Sequence, residues 1–383
     1  MIKDVQRIYN QMSDTLPKQI FMDRLNYSIT QDFGYIETMV NHTLRRSAKW
    51  LTFYRLLKEK AKHAHIYIFG AGIWANILYQ ETKEMIPWKA AIDSYPVGKK
   101  VGQLPVIAAD QLSDMKQQDS IIVISSYKNG QEMAAQIQRA GIPEYRIMDA
   151  GKVIYELTEG AIYFDLGQLY PQFPYEAFVD AGCYDGLTAK GFFEWCEKEG
   201  YVYCFEPDRK NVETIQRNLF DCTDNYELAE KALWSETKRL CIDARGDYAS
   251  SVREPDGADT GQITEAVALD DYLAGRQVTF LKMDVEGAEE EVLKGARNTI
   301  MQQHPRLAVS VYHKLSDIQT LPELILSYYP GYRLYLRHYS FSDYDTVLYA
   351  LPLEETGRIH LTNSSVGALR EVQASFAGEA ECL

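Results

Sequence analysis

Three acids stand where glycines and apolar runs give each a defined place. In FVDAGCYDG (178–186) an apolar run ends on Asp180, Gly182 and Gly186 mark a tight turn, and Tyr184 and Asp185 stand inside it. A second apolar run, YVYCF (201–205), ends on Glu206, with Pro207 and Asp208 next. A glycine turn at a helix start ordinarily cradles a phosphate, which backbone N–H groups attract and neighbouring carboxylates repel. Here Asp180 and Asp185 flank the turn, so the local field favours a ligand that carries positive charge. Glu206, at the next strand end, is placed to accept from both hydroxyls of a ribose.

S-adenosylmethionine has these parts: a sulfonium and an ammonium, a carboxylate for backbone N–H groups, and a ribose. Asp180, Gly182, Tyr184, Asp185, Gly186, Glu206, Pro207 and Asp208 are therefore the candidate cofactor-binding residues. The elements that must hold them follow from periodicity. A strand through Phe178 and Val179 leads into the turn, and a helix is predicted over Leu187–Glu199. Phe192, Phe193, Trp195 and Cys196 form its apolar stripe, and Gly200 is expected to end it. With the strand Tyr201–Phe205 this is a βαβ unit of about thirty residues.

The stretch resembles the FkbM family of S-adenosylmethionine-dependent methyltransferases. The resemblance continues through ALDDYL (268–273), FLKMDVEGAEEEVLKGA (280–296) and YLRHYSFSDYDTVLYA (335–350), and spans roughly Tyr163 to Pro352. It implies a class I methyltransferase fold, a mostly parallel seven-stranded sheet with an antiparallel last strand. In that fold class Ala232 and Leu233 of KALW would lie against the adenine, and RHYS (337–340) near the acceptor. The implied acceptor is a glycan, a nucleotide-linked sugar or a secondary metabolite.

Methyl transfer needs alignment first, and then help in removing a proton from the acceptor. Asp284, at the tip of the predicted strand Val278–Met283, is the carboxylate best placed for that. His313, after the strand Leu307–Val311, is the best neutral base. Each has a plainer alternative: Asp284 as the cap of a helix opening at Glu286, His313 as a partner for a loop carbonyl or for substrate. His338 is a weaker candidate. Asp284, Glu286 and His313 bear a metal-like combination, yet two acids at a helix start do not define a site, and no metal is assigned. Glu289, Glu290 and Glu291 read as structural, matched to the dipole of that helix.

The rest of the chain supplies the setting. Its 383 residues suggest an α/β protein of several parts: a helical segment (1–62), a small Rossmann-like domain (63–150), a connector (151–177), the methyltransferase-like domain (178–352) and a poorly ordered tail (353–383). In the small domain Gly70, Gly72 and Ala75 match a dinucleotide-binding pattern, with Asp93 as the ribose-binding acid of a three- or four-stranded sheet. Nucleotide or nucleotide-sugar binding and a purely structural role stand side by side there, and an NAD(P)-dependent oxidoreductase is the alternative function. Residues 226–233 are expected as one strand, 239–243 as a hairpin arm, and 247–261 as a polar loop over the acceptor side.

The net charge of −14 argues against non-specific nucleic-acid binding. No apolar run reaches membrane-spanning length, and none of the six cysteines forms a CxxC pair, as suits reduced thiols in the cytoplasm. The N-terminal helices are a candidate homodimer surface. The expected reaction is O-methylation of a small-molecule or glycan hydroxyl, with N- and C-methylation as alternatives.

Overall fold

The computed structural model describes residues 2–160, 162–220, 222, 225–243, 250–255 and 262–353. Most of the expected acceptor-side loop (247–249 and 256–261), the tail from 354 and Cys382 lie outside them. The chain divides into two compact units. One comprises Thr15–Leu166 with Leu336–Val347, the other chiefly Gly167–Tyr335, with the residues up to Asp14 and from Leu348 onward.

In the first unit, helices Thr15–Thr30, Gly34–His42 and Ala48–Lys60 precede a parallel sheet. Helix Thr15–Thr30 buries Ile20, Phe21, Arg24 and Tyr27, spaced to share one face. The sheet has five strands: β1 (His65–Phe69), β2 (Trp88–Asp93), β3 (Val106–Ala108), β4 (Ser120–Ile124) and β5 (Ile147–Asp149), in the order β3-β2-β1-β4-β5. The sequence reading expected three or four. β3 is only three residues long, too short to show a period.

The chain continues with β6 (Glu176–Ala181), β7 (Gly200–Phe205), β8 (Tyr226–Ala229), β9 (Ala232–Trp234), β10 (Lys238–Asp243), β11 (Ser251–Arg253), β12 (Gln262–Ala268), β13 (Phe280–Met283) and β14 (Arg306–Ser310) in the second unit, and with β15 (Tyr332–His338) and β16 (Thr346–Pro352), each of which is divided between the units. Seven of these form one sheet, ordered β15-β16-β14-β13-β6-β7-β8. β14, β13, β6, β7 and β8 run parallel. β15 and β16 are neighbours joined by residues 339–345, a connection too short for a parallel crossover, so they are antiparallel. β6 is buried along its whole length, and Phe178 stacks on Phe192 at 4.7 Å and meets Phe280 at 5.1 Å. Its two acids each meet a cation from another strand: Glu176 pairs with Arg306, Asp180 with Lys282.

Two boundaries depart from expectation. The run 226–233 is not one strand. β8 ends at Ala229, and β9 starts at Ala232 in a second sheet ordered β11-β10-β12-β9. The expected hairpin arm is there as β10, antiparallel to both β11 and β12. Helix Leu187–Trp195 stops before Gly200, which opens β7 instead. Glu197 and Lys198 take positive φ, and the Lys198 N–H bonds the Phe193 carbonyl at 2.8 Å, closing the helix without glycine. Cys183, Cys196, Cys204, Cys222 and Cys241 are free thiols. Among the described residues no helix is long and apolar enough to cross a membrane.

Candidate active site

The C-terminal tips of β6, β7 and β13 surround a cleft, where a parallel sheet leaves room for a ligand. Of the predicted residues, Gly182, Tyr184, Glu206, Pro207, Ala232, Leu233 and Asp284 line it, together with Phe205, Asn211, Ser250, Val252 and Glu286. Asp180, Asp185, Gly186, Asp208 and His313 stand behind that wall.

Gly182 ties the tips together. Its N–H and that of Cys183 both reach the Phe205 carbonyl at 3.1 Å, and the Asp284 N–H reaches Ala181 O at 3.1 Å. Gly182 has φ +77°, and a Cβ there would lie 2.0 Å from the Asp284 carbonyl oxygen. Any side chain would both strain the turn and push Asp284 away. Gly182→Ala should therefore lower unfolding stability by about 2–3 kcal/mol, read by urea denaturation, and weaken ligand binding in the cleft.

Glu206 is 4% exposed. It accepts from the backbone N–H of Tyr184 at 2.9 Å and of Asp208 at 2.8 Å, and from Asn211 Nδ2 at 3.3 Å. Burial pushes its carboxyl up to about 7, against the pull of those donors. A carboxylate has about four lone-pair positions, so three described donors leave capacity for a ligand.

Asp180 differs from expectation. It is fully buried, outside the cleft lining, and its Oδ1 lies 3.0 Å from Lys282 Nζ, directly across the β6–β13 pairing. The same ammonium donates to the Gly182 carbonyl at 2.7 Å. Burial raises the Asp180 carboxyl, with Lys282 pulling the other way. Burial would also drain charge from Lys282, but Asp180 and Asp284 outweigh it and hold the ammonium above its ordinary value. This pair supports the turn from beneath. Asp185 and Asp208 have local partners too. Asp185 Oδ1 accepts from the Leu187 N–H at 3.0 Å, at the start of helix Leu187–Trp195. Asp208 caps helix Arg209–Leu219 through the Lys210 N–H at 3.0 Å and receives the Ser250 hydroxyl at 2.8 Å. Gly186, at φ +80°, is the N-cap of helix Leu187–Trp195.

On the opposite side, the helix expected to open at Glu286 begins at Glu289. Asp284 does not cap it, because the left-handed Glu286 and Gly287 intervene. Asp284 faces the cleft and accepts from the Tyr312 hydroxyl at 3.3 Å. His313 is not the neutral base expected. Burial lowers its affinity for a proton, but Glu286, Glu289 and Asp284 outweigh that and push it up to about 11, so at neutral pH it is a cation. Its Nδ1 lies 2.8 Å from Glu289 Oε1, and its Nε2 3.5 Å from Glu286 and 3.6 Å from Asp284. Glu289, which the sequence reading assigned to the helix dipole, is buried and also accepts from the Val285 N–H at 3.0 Å. Glu290 and Glu291 pair with Lys294, as suits exposed helix residues. His338, the weaker candidate, is buried against Thr346 Oγ1 at 3.0 Å and driven down to about 3 by burial, so it is neutral and outside the cleft.

In the first unit the acid of the dinucleotide-like turn is already engaged. Asp93 accepts from the Ala71 N–H at 2.9 Å and the Tyr95 N–H at 2.8 Å, and pairs with Lys99 at 2.8 Å. It braces the Gly70–Gly72 turn from within.

Comparison with known proteins agrees with the cleft. The methyltransferase FkbM domain family matches residues 180–342. The curated 2-O-methyltransferase NoeI of Sinorhizobium fredii (strain NBRC 101917 / NGR234) is 29% identical over 147 residues, covering 33% of this chain and 60% of that protein. The chain thus spans about 60% of the length of that curated relative. Among solved structures, methyltransferase FkbM from Methylobacillus flagellatus KT matches 79% of this chain and 93% of its own at 22% identity and TM-score 0.44. Aeropyrum pernix fibrillarin, solved with natively bound S-adenosyl-L-methionine, matches 50% of this chain and 73% of its own at 12% identity and TM-score 0.33. Residues 180–342 of this chain are thus similar to the methyltransferase FkbM domain family.

Proposed function

We propose that the second unit transfers a methyl group from S-adenosylmethionine to a hydroxyl oxygen on a sugar, a glycan or a secondary metabolite. The observation that carries this reading is the Glu206 carboxylate in the cleft wall, fixed by two backbone N–H groups and with acceptor capacity to spare. The surroundings fit the cofactor. Gly182 leaves its backbone exposed to the cleft, Glu206 would take the ribose hydroxyls, and Ala232, Leu233 and Val252 offer an apolar wall for the adenine. When bound, the cofactor would supply a methyl group activated by its sulfonium, and Asp284 would take the proton that the acceptor hydroxyl gives up.

The chain's own residues hold, orient and deprotonate. Asp180 and Lys282 set the height of the Gly182 turn from below. Asp284 presents a carboxylate to the cleft, where an acceptor hydroxyl would lie, and Tyr312 holds that carboxylate by a hydrogen bond. His313, as a cation, orients Asp284 and Glu286 and does not take a proton itself. The name of the curated relative, a 2-O-methyltransferase, favours oxygen as the methylated atom. The division into a small Rossmann-like domain before a methyltransferase domain belongs to the same proposal.

Calorimetric titration with S-adenosylmethionine, S-adenosylhomocysteine and NADH in parallel tests the reading. Both adenosyl ligands should bind, at one per chain, and NADH should give no heat. Binding of NADH alone would move the working site to the Gly70–Gly72 turn and end this proposal.

A further inference from the structure

We propose that Asp284, Glu286 and His313 form a binding site for one divalent cation in the wall of the cleft, with donor chemistry suited to Mn2+. Each of the three offers one ligand atom, and these atoms all lie within 4.8 Å of one another. His313 Nε2 lies 3.5 Å from Glu286 Oε1 and 3.6 Å from Asp284 Oδ1. Those separations are too long for good hydrogen bonds. They do match the spacing of neighbouring donors on one cation, roughly 3.0–3.5 Å for metal–ligand bonds of about 2.1 Å.

The histidine is the independent observation. Its side chain is 8% exposed and its Nε2 points between the two acids, while Glu289 Oε1 lies 2.8 Å from Nδ1 on the far side. A buried carboxylate behind one ring nitrogen, with the other nitrogen aimed at further acids, is the arrangement that orients a metal-bound imidazole. Glu289 is itself fixed by the Val285 N–H, and Asp284 by the Tyr312 hydroxyl, so the donors are supported from outside. Asp284 and Glu286 keep 25% and 26% of their side chains exposed and line the cleft, which leaves coordination positions for water or substrate. Two carboxylate oxygens favour Mg2+ or Mn2+, and an imidazole nitrogen disfavours Mg2+ relative to the transition metals.

The role of the cation rests on the methyl-transfer reading. An acceptor hydroxyl bound to it would become more acidic: its O–H bond breaks with the electron pair left on oxygen, and the proton passes to solvent water. His313 Nε2 would give up its proton to solvent on ligating the cation, and the cation would then supply the activation of the hydroxyl.

The test uses the full chain and Mn2+ alone, followed by the electron paramagnetic resonance signal of free Mn2+ and by calorimetry. One Mn2+ should bind per chain. Glu286→Gln, on a partly exposed side chain, and His313→Gln should each weaken it by about tenfold to a hundredfold. Far-ultraviolet circular dichroism of the metal-free variants should match the parent, which separates a lost ligand from a lost fold. Undiminished free Mn2+ signal in protein that binds S-adenosylmethionine would overturn the proposal and leave the three residues as an ion cluster closed by the imidazolium. So would Mn2+ binding that both substitutions leave unchanged. Mn2+ binding lost in the variants, in a protein that ignores S-adenosylmethionine, would uphold the cation site while the methyl-transfer reading fell.

Discussion

Glu206→Gln is expected to cost about a hundredfold in affinity for S-adenosylmethionine, because two ribose hydroxyls would exchange an ionised acceptor for a neutral amide. Hydrogen bonds to an ionised partner contribute about 1.5–3 kcal/mol each, so even the lower figure for two reaches that loss. The variant should fold with reduced stability, since the Tyr184 and Asp208 N–H groups bond different carboxylate oxygens and Gln keeps an acceptor for one of them. The effect should also depend on pH in a defined sense. Burial raises this carboxyl from its ordinary 4.5 to about 7. Hydroxyl donors favour its ionised form, so affinity should rise as pH climbs toward 7 and level off above it. The limiting slope is about tenfold per unit. Stability of the cofactor-free protein moves the other way. The folded form binds more protons than the unfolded one between pH 4.5 and about 7, so the contribution of this group is full below that window and lost as pH rises through it. Calorimetry between about pH 6 and about pH 8 reads the first trend, and Glu206→Gln should abolish it. A pH-independent parent affinity, or a variant that binds as tightly, would remove Glu206 from the ribose site.

What the sequence revealed of this site depends on distance along the chain. Gly182, Glu206 and Asp284 were legible because each is announced locally: an apolar strand ends, and a glycine or an acid follows at the tip. The same reasoning missed the ion-pair partner of Asp180. Its companion Lys282 is 102 residues later, and only the pairing of β6 with β13 sets them side by side. One signal was available. A lysine inside the apolar run FLKM, on a strand destined for the middle of a parallel sheet, requires a buried acid nearby. The charge of His313 was hidden for a similar reason. A lone histidine after a strand reads as neutral, and the carboxylates that protonate it arrive from the turn after β13.

Secondary structure was misread where a short element lacked punctuation. YELAEKALW carries no glycine or proline at Glu230 and Lys231, so the passage from one sheet to the other left no mark. The helix after the cofactor turn likewise ended on left-handed Glu197 and Lys198, residues with no preference for that conformation. The existence of the central strands was easier to anticipate than their ends, since runs apolar enough to be buried on both faces mark it.

Lys282→Met should lower unfolding stability by about 3–5 kcal/mol, because it strands the Asp180 carboxylate in the core without its cation. Three losses coincide. Asp180 loses its ion pair, the Gly182 carbonyl loses its ammonium donor, and the turn beneath the cleft loses its support. The direction with pH follows from burial, which already raises the Asp180 carboxyl in the intact pair. Without Lys282 that carboxyl would rise further and take a proton in acid. The stability deficit should therefore be smallest at low pH and grow as pH rises and the group is forced to ionise. Asp180→Asn in the Lys282→Met background removes the charge itself, so the double variant should recover a large part of the loss. Urea unfolding of the parent, both single variants and the double variant closes the cycle. The same four proteins separate two roles for Asp180. If it supports the turn, Asp180→Asn and Lys282→Met should weaken S-adenosylmethionine binding only in step with lost stability. If it touches the cofactor, Asp180→Asn should abolish binding while the protein stays folded, and the double variant should rescue stability without rescuing affinity.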